Sequence, residues 1–192
     1  MADKNPRTKN EHPKEDSKSD REKMLIGMFQ NREDAELAFD DLSQMGYSNQ
    51  EINLLMSDET RKNHYSRKDR DEFDTNLGTK AAEGAGTGSA IGGAIGAIAG
   101  AVAAIGTTLL IPGLGIVIAG PIAAGLAGAG AGGIAGGLIG ALVGAGIPED
   151  KAVLYEKGIK NGNIVIGFYP RNGEERKIIT NKWRNRNVLN IH

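Results

Sequence analysis

Three features of the 192-residue chain predict an α+β protein whose sheet module is interrupted by a helical hairpin. Short apolar runs alternate with amphipathic helical stretches near both ends. A 64-residue stretch from Gly84 to Ile147 separates them and carries no charge, 21 of the chain's 28 Gly and 17 Ala. Within that stretch glycines recur every fourth residue, a spacing that keeps them on one helix face.

The first 23 residues hold 7 basic and 6 acidic side chains among Pro, Ser and Asn. Such a composition cannot bury apolar surface, so 1–23 is expected to be a disordered polar tail. It has no apolar core and no small-residue cleavage site, so it does not read as a secretory signal. The chain has no Cys, which excludes disulfides, thiol catalysis and cysteine zinc sites. Its three His, at 12, 64 and 192, are far apart in sequence.

Residues 24–56 read as a β-α-β part. The run MLIGMF at 24–29 is a strand, and Asn31 caps the helix that follows. Glu33 and Asp34 favour its first turn, and Ala35, Ala38, Phe39, Leu42 and Met45 recur at helical spacing up to Gly46. INLLM at 52–56 is a second strand. Residues 57–80 alternate acids with bases and read as a polar linker.

Residues 148–192 supply the second half. Pro148 opens a helix that runs to about 161–162, IVIGFY at 164–169 is a third strand, and 174–186 is a helix with Ile178, Ile179 and Trp183 inward. Residues 188–191 are a possible fourth strand. With 57–162 removed the order is β-α-β-β-α-β, which is ferredoxin-like: a four-stranded antiparallel sheet with two helices on one face.

The segment 81–147 is expected to be a glycine-zipper helical hairpin with arms near 81–110 and 116–147. Gly84, Gly88, Gly92, Gly96 and Gly100 form one ladder; Gly128, Gly132, Gly136, Gly140 and Gly144 form the other. Strips without side chains let two backbones approach closely, so both ladders are assigned to helix packing. Pro112, Gly113 and Gly115 mark the hairpin turn, and Pro121 kinks or restarts the second arm. Each arm would reach ~40 Å, beyond a hydrocarbon core of ~30 Å. Gly and Ala are poorly hydrophobic, so one arm alone inserts marginally and the two need each other. The alternative is an Ala/Gly hairpin packed in water on itself or on another copy. All 23 basic residues lie in the flanks, which puts both polar lobes on the cytoplasmic side of the inner or plasma membrane, or, without insertion, in the cytoplasm.

Residues that could carry chemistry are few. Gly128, Gly130 and Gly133 match a G-x-G-x-x-G pattern, but no strand precedes them, and Ala/Gly runs produce the pattern by chance. Adjacent acids at 40–41 and 174–175 point apart on a helix. Lys182, Arg184 and Arg186 beside Trp183 could suggest a phosphate patch, yet they read as the basic last turn of a helix. The net charge of −1 and the diluted +4 of residues 149–192 do not argue for nucleic acid. No constellation meets the geometric demands of catalysis, so no enzyme activity, metal or cofactor is expected.

Several of these segments together are distinctive. They are 24–29 with its acidic helix, Gly46-Tyr47 and 52–56; Thr79-Lys80-Ala81-Ala82-Glu83-Gly84-Ala85; Ile111-Pro112-Gly113-Leu114-Gly115 with Ala119-Gly120-Pro121; and Gly146-Ile147-Pro148-Glu149-Asp150 with Tyr155-Glu156 and the strand after it. This set resembles the bacterial heat-induced or general stress protein family (YflT-type), in its long form with a glycine-zipper insert. The resemblance covers about 24–170, and the tail and last 20 residues match weakly. It implies a non-enzymatic bacterial stress-response protein and supplies no catalytic residues. The expected partners are membrane lipid or further copies of the chain, as a homo-oligomer. A soluble ligand-sensing ferredoxin-like module is the alternative, on fold analogy alone.

Overall fold

The computed structural model describes residues 23–65, 98, 108–111, 113–128 and 137–192. In chain order the elements are β1 (Leu25–Phe29), α1 (Arg32–Gln44), β2 (Asn53–Ser57), α2 (Asp58–His64), β3 (Thr108–Ile111) and β4 (Ile116–Ala119). Then come α3 (Pro121–Gly128), α4 (Gly137–Gly144), α5 (Glu149–Lys160), β5 (Ile164–Phe168), α6 (Gly173–Arg184) and β6 (Asn190–Ile191). The strands form a six-stranded sheet in the order β3-β4-β2-β5-β1-β6. Every neighbouring pair is antiparallel. The chain is α+β.

Period-two alternation divides the strand residues between two cores. Leu25, Phe29, Leu54, Met56, Ile164, Ile166 and Phe168 point to the first, with Ala35, Phe39, Leu42, Ile179 and Trp183 from α1 and α6. Met24, Ile26, Met28, Leu55, Val165, Ile116 and Ile118 point to the second, against Ile122, Leu138, Leu142, Tyr155 and Ile159 from α3, α4 and α5. The two expected helices, α1 and α6, share one face, and the difference is that α3, α4 and α5 fill the other face as well. The apolar runs of β1 and β5 are continuous for this reason, since a strand buried on both sides has no polar face. Gly27 sets the spacing of the first layer, since a Cβ there would lie 2.7 Å from Cε3 of Trp183; a Cβ on Gly167 would lie 2.8 Å from Sδ of Met24, a neighbour within the sheet.

The hairpin arms also need correction. Residues 108–110 and 116–119, expected to be helical, and Ile111, expected in the turn, lie in the strands of a β-hairpin with Leu109 opposite Ile118 and Ile111 opposite Ile116. The physical reason is local. Thr108, Ile111, Ile116, Val117 and Ile118 are β-branched and stiff at χ1, which favours a pleated surface. Residues 113–115 turn the chain between two strands, not between two helices. Gly113 and Gly115 take φ of +82° and +60°, values an L side chain rarely adopts. β4 then pairs with β2, so four expected strands become six.

Elsewhere the differences are smaller. Asp58–His64, expected within a polar linker, is a helix because the Ser57 side chain accepts the Thr60 N–H at 2.9 Å, with acids in the first turn and Arg61, Lys62 and His64 in the last. Asn31 caps α1 through the Asp34 N–H at 2.8 Å. Pro121 starts α3, and Pro148 is the N-cap residue of α5. Ile178, expected inward, is 42% exposed; the buried stripe of α6 runs through Ile179 and Trp183.

Candidate functional site

The residues best placed to matter lie on the seam where the insert meets the sheet module. Among the described residues the buried polar side chains are Glu36, Asp41, Asn53 and Thr60. Three of them hold insert or loop backbone. Asn53, at the start of β2, accepts the Ile122 N–H at 2.7 Å through Oδ1. Its Nδ2 donates to the Gly167 carbonyl at 3.3 Å. One amide thus satisfies the first turn of α3 and bonds to β5. The chain enters α3 through Gly120, whose φ is +101° and where a Cβ would run into the Ile52 carbonyl. Thr60 donates from Oγ1 to the Gly162 carbonyl at 3.2 Å. At the hairpin turn the Gly115 carbonyl accepts the Asp58 N–H at 2.7 Å, tying the turn to the end of β2.

Glu36 makes the second fastening. It is 0% exposed on α1, and its Oε2 accepts the N–H of Ile98 at 3.0 Å. Ile98 is helical and wholly buried in the first core. Oε1 of Glu36 lies 3.5 Å from Nε of Arg32, and that guanidinium sits 5.0 Å from the centre of the Tyr65 ring. Burial, then the charge of Glu36, pushes the Tyr65 hydroxyl well above the ordinary phenol range.

The remaining polar groups pin helices and loops. Asp41 accepts from Lys182 at 3.0 Å and Arg186 at 3.4 Å, joining α1 to α6. Two of the three cations of the suspected phosphate patch are thus ion-paired. Trp183 beside them is buried, with Nε1 donating to the Ala38 carbonyl at 3.1 Å. At the far end of the sheet, Tyr47 donates to the Glu175 carboxylate and accepts the Arg171 N–H at 3.1 Å. The Arg171 guanidinium covers the Tyr47 ring at 4.2 Å and donates to the Gly46 carbonyl at 2.9 Å. Burial and the hydrogen bond to Glu175 push the Tyr47 hydroxyl up to about 12. On the second face Tyr155 donates to the Ile26 carbonyl at 3.2 Å. Among the described residues no group of three or more His, Asp or Glu could hold a metal ion.

Of the expected helix-packing glycines, Gly128 ends α3, and Gly140 and Gly144 lie on α4. Gly140 and Gly144 are exposed, and a Cβ on either would meet nothing within 4 Å. They form a smooth outward strip beside Val143, which is 44% exposed. Gly84, Gly88, Gly92, Gly96, Gly100, Gly132, Gly136 and Pro112 lie outside the described residues, as do residues 1–22 of the expected tail at 1–23. Among the described residues no helix is long and apolar enough to cross a membrane.

Reading the sequence missed the fastenings at Glu36 and Asn53. Asn53 had a signal, being the single polar residue inside the apolar run 52–56. Glu36 had none, because an acid at the flank of a helical apolar stripe is ordinarily solvated. No family model, no curated protein and no solved structure matches the chain.

Proposed function

We propose that the chain is a non-enzymatic protein of the general stress type, in which a sheet module carries a glycine-rich insert that associates with a membrane or with further copies of the chain. One observation carries the reading most: Gly140 and Gly144 open outward beside exposed Val143, in a part of the chain that has no charge. A surface without side chains or charge is suited to close approach by another apolar surface. The buried polar groups support the same reading, since Glu36, Asp41, Asn53 and Thr60 each hold part of the fold. The module itself is best read as ferredoxin-like. Four of its strands follow one another as β2-β5-β1-β6, the order in which two split β-α-β units interleave. The hairpin β3-β4 and helices α3 to α5 are additions, the hairpin beside β2 and the helices on the second face. A ligand-sensing module is less well supported, because both faces of its central strands are filled by the chain's own side chains.

The test uses the lack of native Cys. In full-length Val143→Cys the single thiol should be shielded from a polar maleimide when vesicles of bacterial lipid are added, or should form a disulfide between copies. A thiol that stays fully reactive and uncrosslinked under both conditions would overturn the proposal.

A further inference from the structure

We infer that the Asn172–Gly173 peptide is a self-modification site, where the asparagine converts to aspartate and iso-aspartate through a succinimide. The fold withholds the same chemistry from Asn161–Gly162. Asn followed by Gly occurs twice in the chain, at 161–162 and 172–173. In this dipeptide the asparagine side chain is open to attack by the next backbone nitrogen, because glycine has no Cβ to obstruct the approach. Both asparagines are exposed, so water and hydroxide reach both. The sequence does not separate the two peptides, whereas their backbone geometry does. The inference is independent of the association proposed above.

Ring closure needs a backbone N–H free to give up its proton, a ψ that brings that nitrogen beside Cβ, and a polarised side-chain carbonyl. Gly173 is the first residue of α6, so its N–H has no acceptor within the helix. It has none elsewhere among the described residues. The positive end of the helix dipole favours the anion formed when that proton leaves. Asn172 is extended, with ψ at 170°. Its Oδ1 accepts the Glu175 N–H at 2.8 Å, a donor aimed at the oxygen on which charge gathers when Cγ is attacked. Asn161 differs on both backbone counts. Its ψ is 10°, from which the nitrogen must turn further to reach Cβ. The Gly162 N–H is committed to the Ile159 carbonyl at 3.0 Å, and the Gly162 carbonyl accepts from Thr60 at 3.2 Å. Reaction there requires the end of α5 to open first.

The Gly173 nitrogen, deprotonated by hydroxide, bonds to Cγ of Asn172. The Cγ–Nδ2 bond breaks, and Nδ2 leaves as ammonia with protons from water. One water then opens the succinimide ring. Hydrolysis at the side-chain carbonyl leaves aspartate; hydrolysis at the backbone carbonyl leaves iso-aspartate, whose main chain runs through an extra methylene. The sum is one water consumed and one ammonia released, with no oxidant or cofactor. Aspartate still caps α6. Iso-aspartate lengthens the chain between two anchored residues. On one side Arg171 donates its N–H to the Tyr47 hydroxyl at 3.1 Å and its guanidinium to the Gly46 carbonyl at 2.9 Å. On the other, Glu175 accepts from Tyr47. The joint between the end of α1 and the start of α6 then opens.

The experiment is incubation of the full chain at mildly alkaline pH, followed by peptide mapping with mass spectrometry. In the folded chain conversion at Asn172 should run about tenfold or more faster than at Asn161. In urea, where both peptides lose their fixed geometry, the two rates should converge. An iso-aspartate-specific carboxyl methyltransferase should label the peptide that contains position 172. Gly173→Ala, which puts a Cβ in the path of attack, should slow conversion at Asn172 and leave Asn161 unchanged. The separated iso-aspartyl chain should melt below the parent, while Asn172→Asp should melt with it. Equal rates in the folded chain, faster conversion at Asn161, or a preference for Asn172 that persists unchanged in urea would overturn the inference. An iso-aspartyl chain that melts with the parent would overturn the opening of the joint.

Discussion

Gly27→Ala should destabilise the protein by about 1–2 kcal/mol, although alanine is the stiffer residue in the unfolded chain. The added Cβ would sit 2.7 Å from Cε3 and 2.9 Å from Cζ3 of Trp183. That indole cannot swing aside. Its Nε1 is held 3.1 Å from the Ala38 carbonyl, and its ring stands edge-on to Phe29 at 5.5 Å and to Phe168 at 5.8 Å. Relieving the overlap means moving α6 off the sheet, and overpacking of this kind costs about 1–3 kcal/mol. Removing a strand glycine returns about 0.5–1 kcal/mol. For a chain of this length the difference lowers the melting temperature by roughly 2–8 °C. Gly167→Ala is the matched control. Its Cβ meets Sδ of Met24 at 2.8 Å, the far end of an unbranched side chain that can re-pack. It should cost less than about 1 kcal/mol. Chemical denaturation followed by the single Trp reads both variants. Gly27→Ala as stable as the parent, or Gly167→Ala the worse of the two, would refute the layer spacing assigned to Gly27.

Other consequences follow from the same geometry. Asn53→Leu should cost about 1–3 kcal/mol by leaving the Ile122 N–H buried without an acceptor, with protection from hydrogen exchange lost first in α3; uniform protection would contradict the fastening. Gly140→Ala and Gly144→Ala should each stabilise the isolated chain, by up to about 1 kcal/mol in urea, because the new methyl meets no neighbour. All four tyrosines hold their protons above the ordinary phenol range, Tyr47 to about 12. The unfolded chain releases these protons near 10, so the tyrosines leave stability untouched below about pH 10 and erode it between about pH 10 and 12. Absorbance at 295 nm should therefore lag an ordinary tyrosine titration; phenolate appearing near pH 10 in a folded chain would refute the burial.

Local signals explain which parts were legible in the sequence. β1, α1, β2, α5, β5 and α6 were marked by apolar runs, caps and first-turn acids such as Asn31 with Glu33 and Asp34, each interaction lying within one turn. The turn at 113–115 was marked by its glycines. What it connects was not, because Gly/Ala spacing suits helix packing while the β-branched residues that decide the strands are few, and their partner strand β2 lies some 60 residues earlier. The second helical layer was hinted at by runs with no polar alternation. The fastening at Glu36 depends on Ile98, 62 residues away in the chain, which no local pattern records.

The most direct test of the association claim is flotation and sedimentation of the full chain, with and without vesicles of bacterial lipid. The chain should float with vesicles or sediment as an assembly, and Gly140→Glu combined with Gly144→Glu, which puts charge on the open strip of α4, should weaken that association about tenfold or more. A chain that remains a free monomer in both conditions, or a double variant that associates as strongly as its parent, would contradict the account.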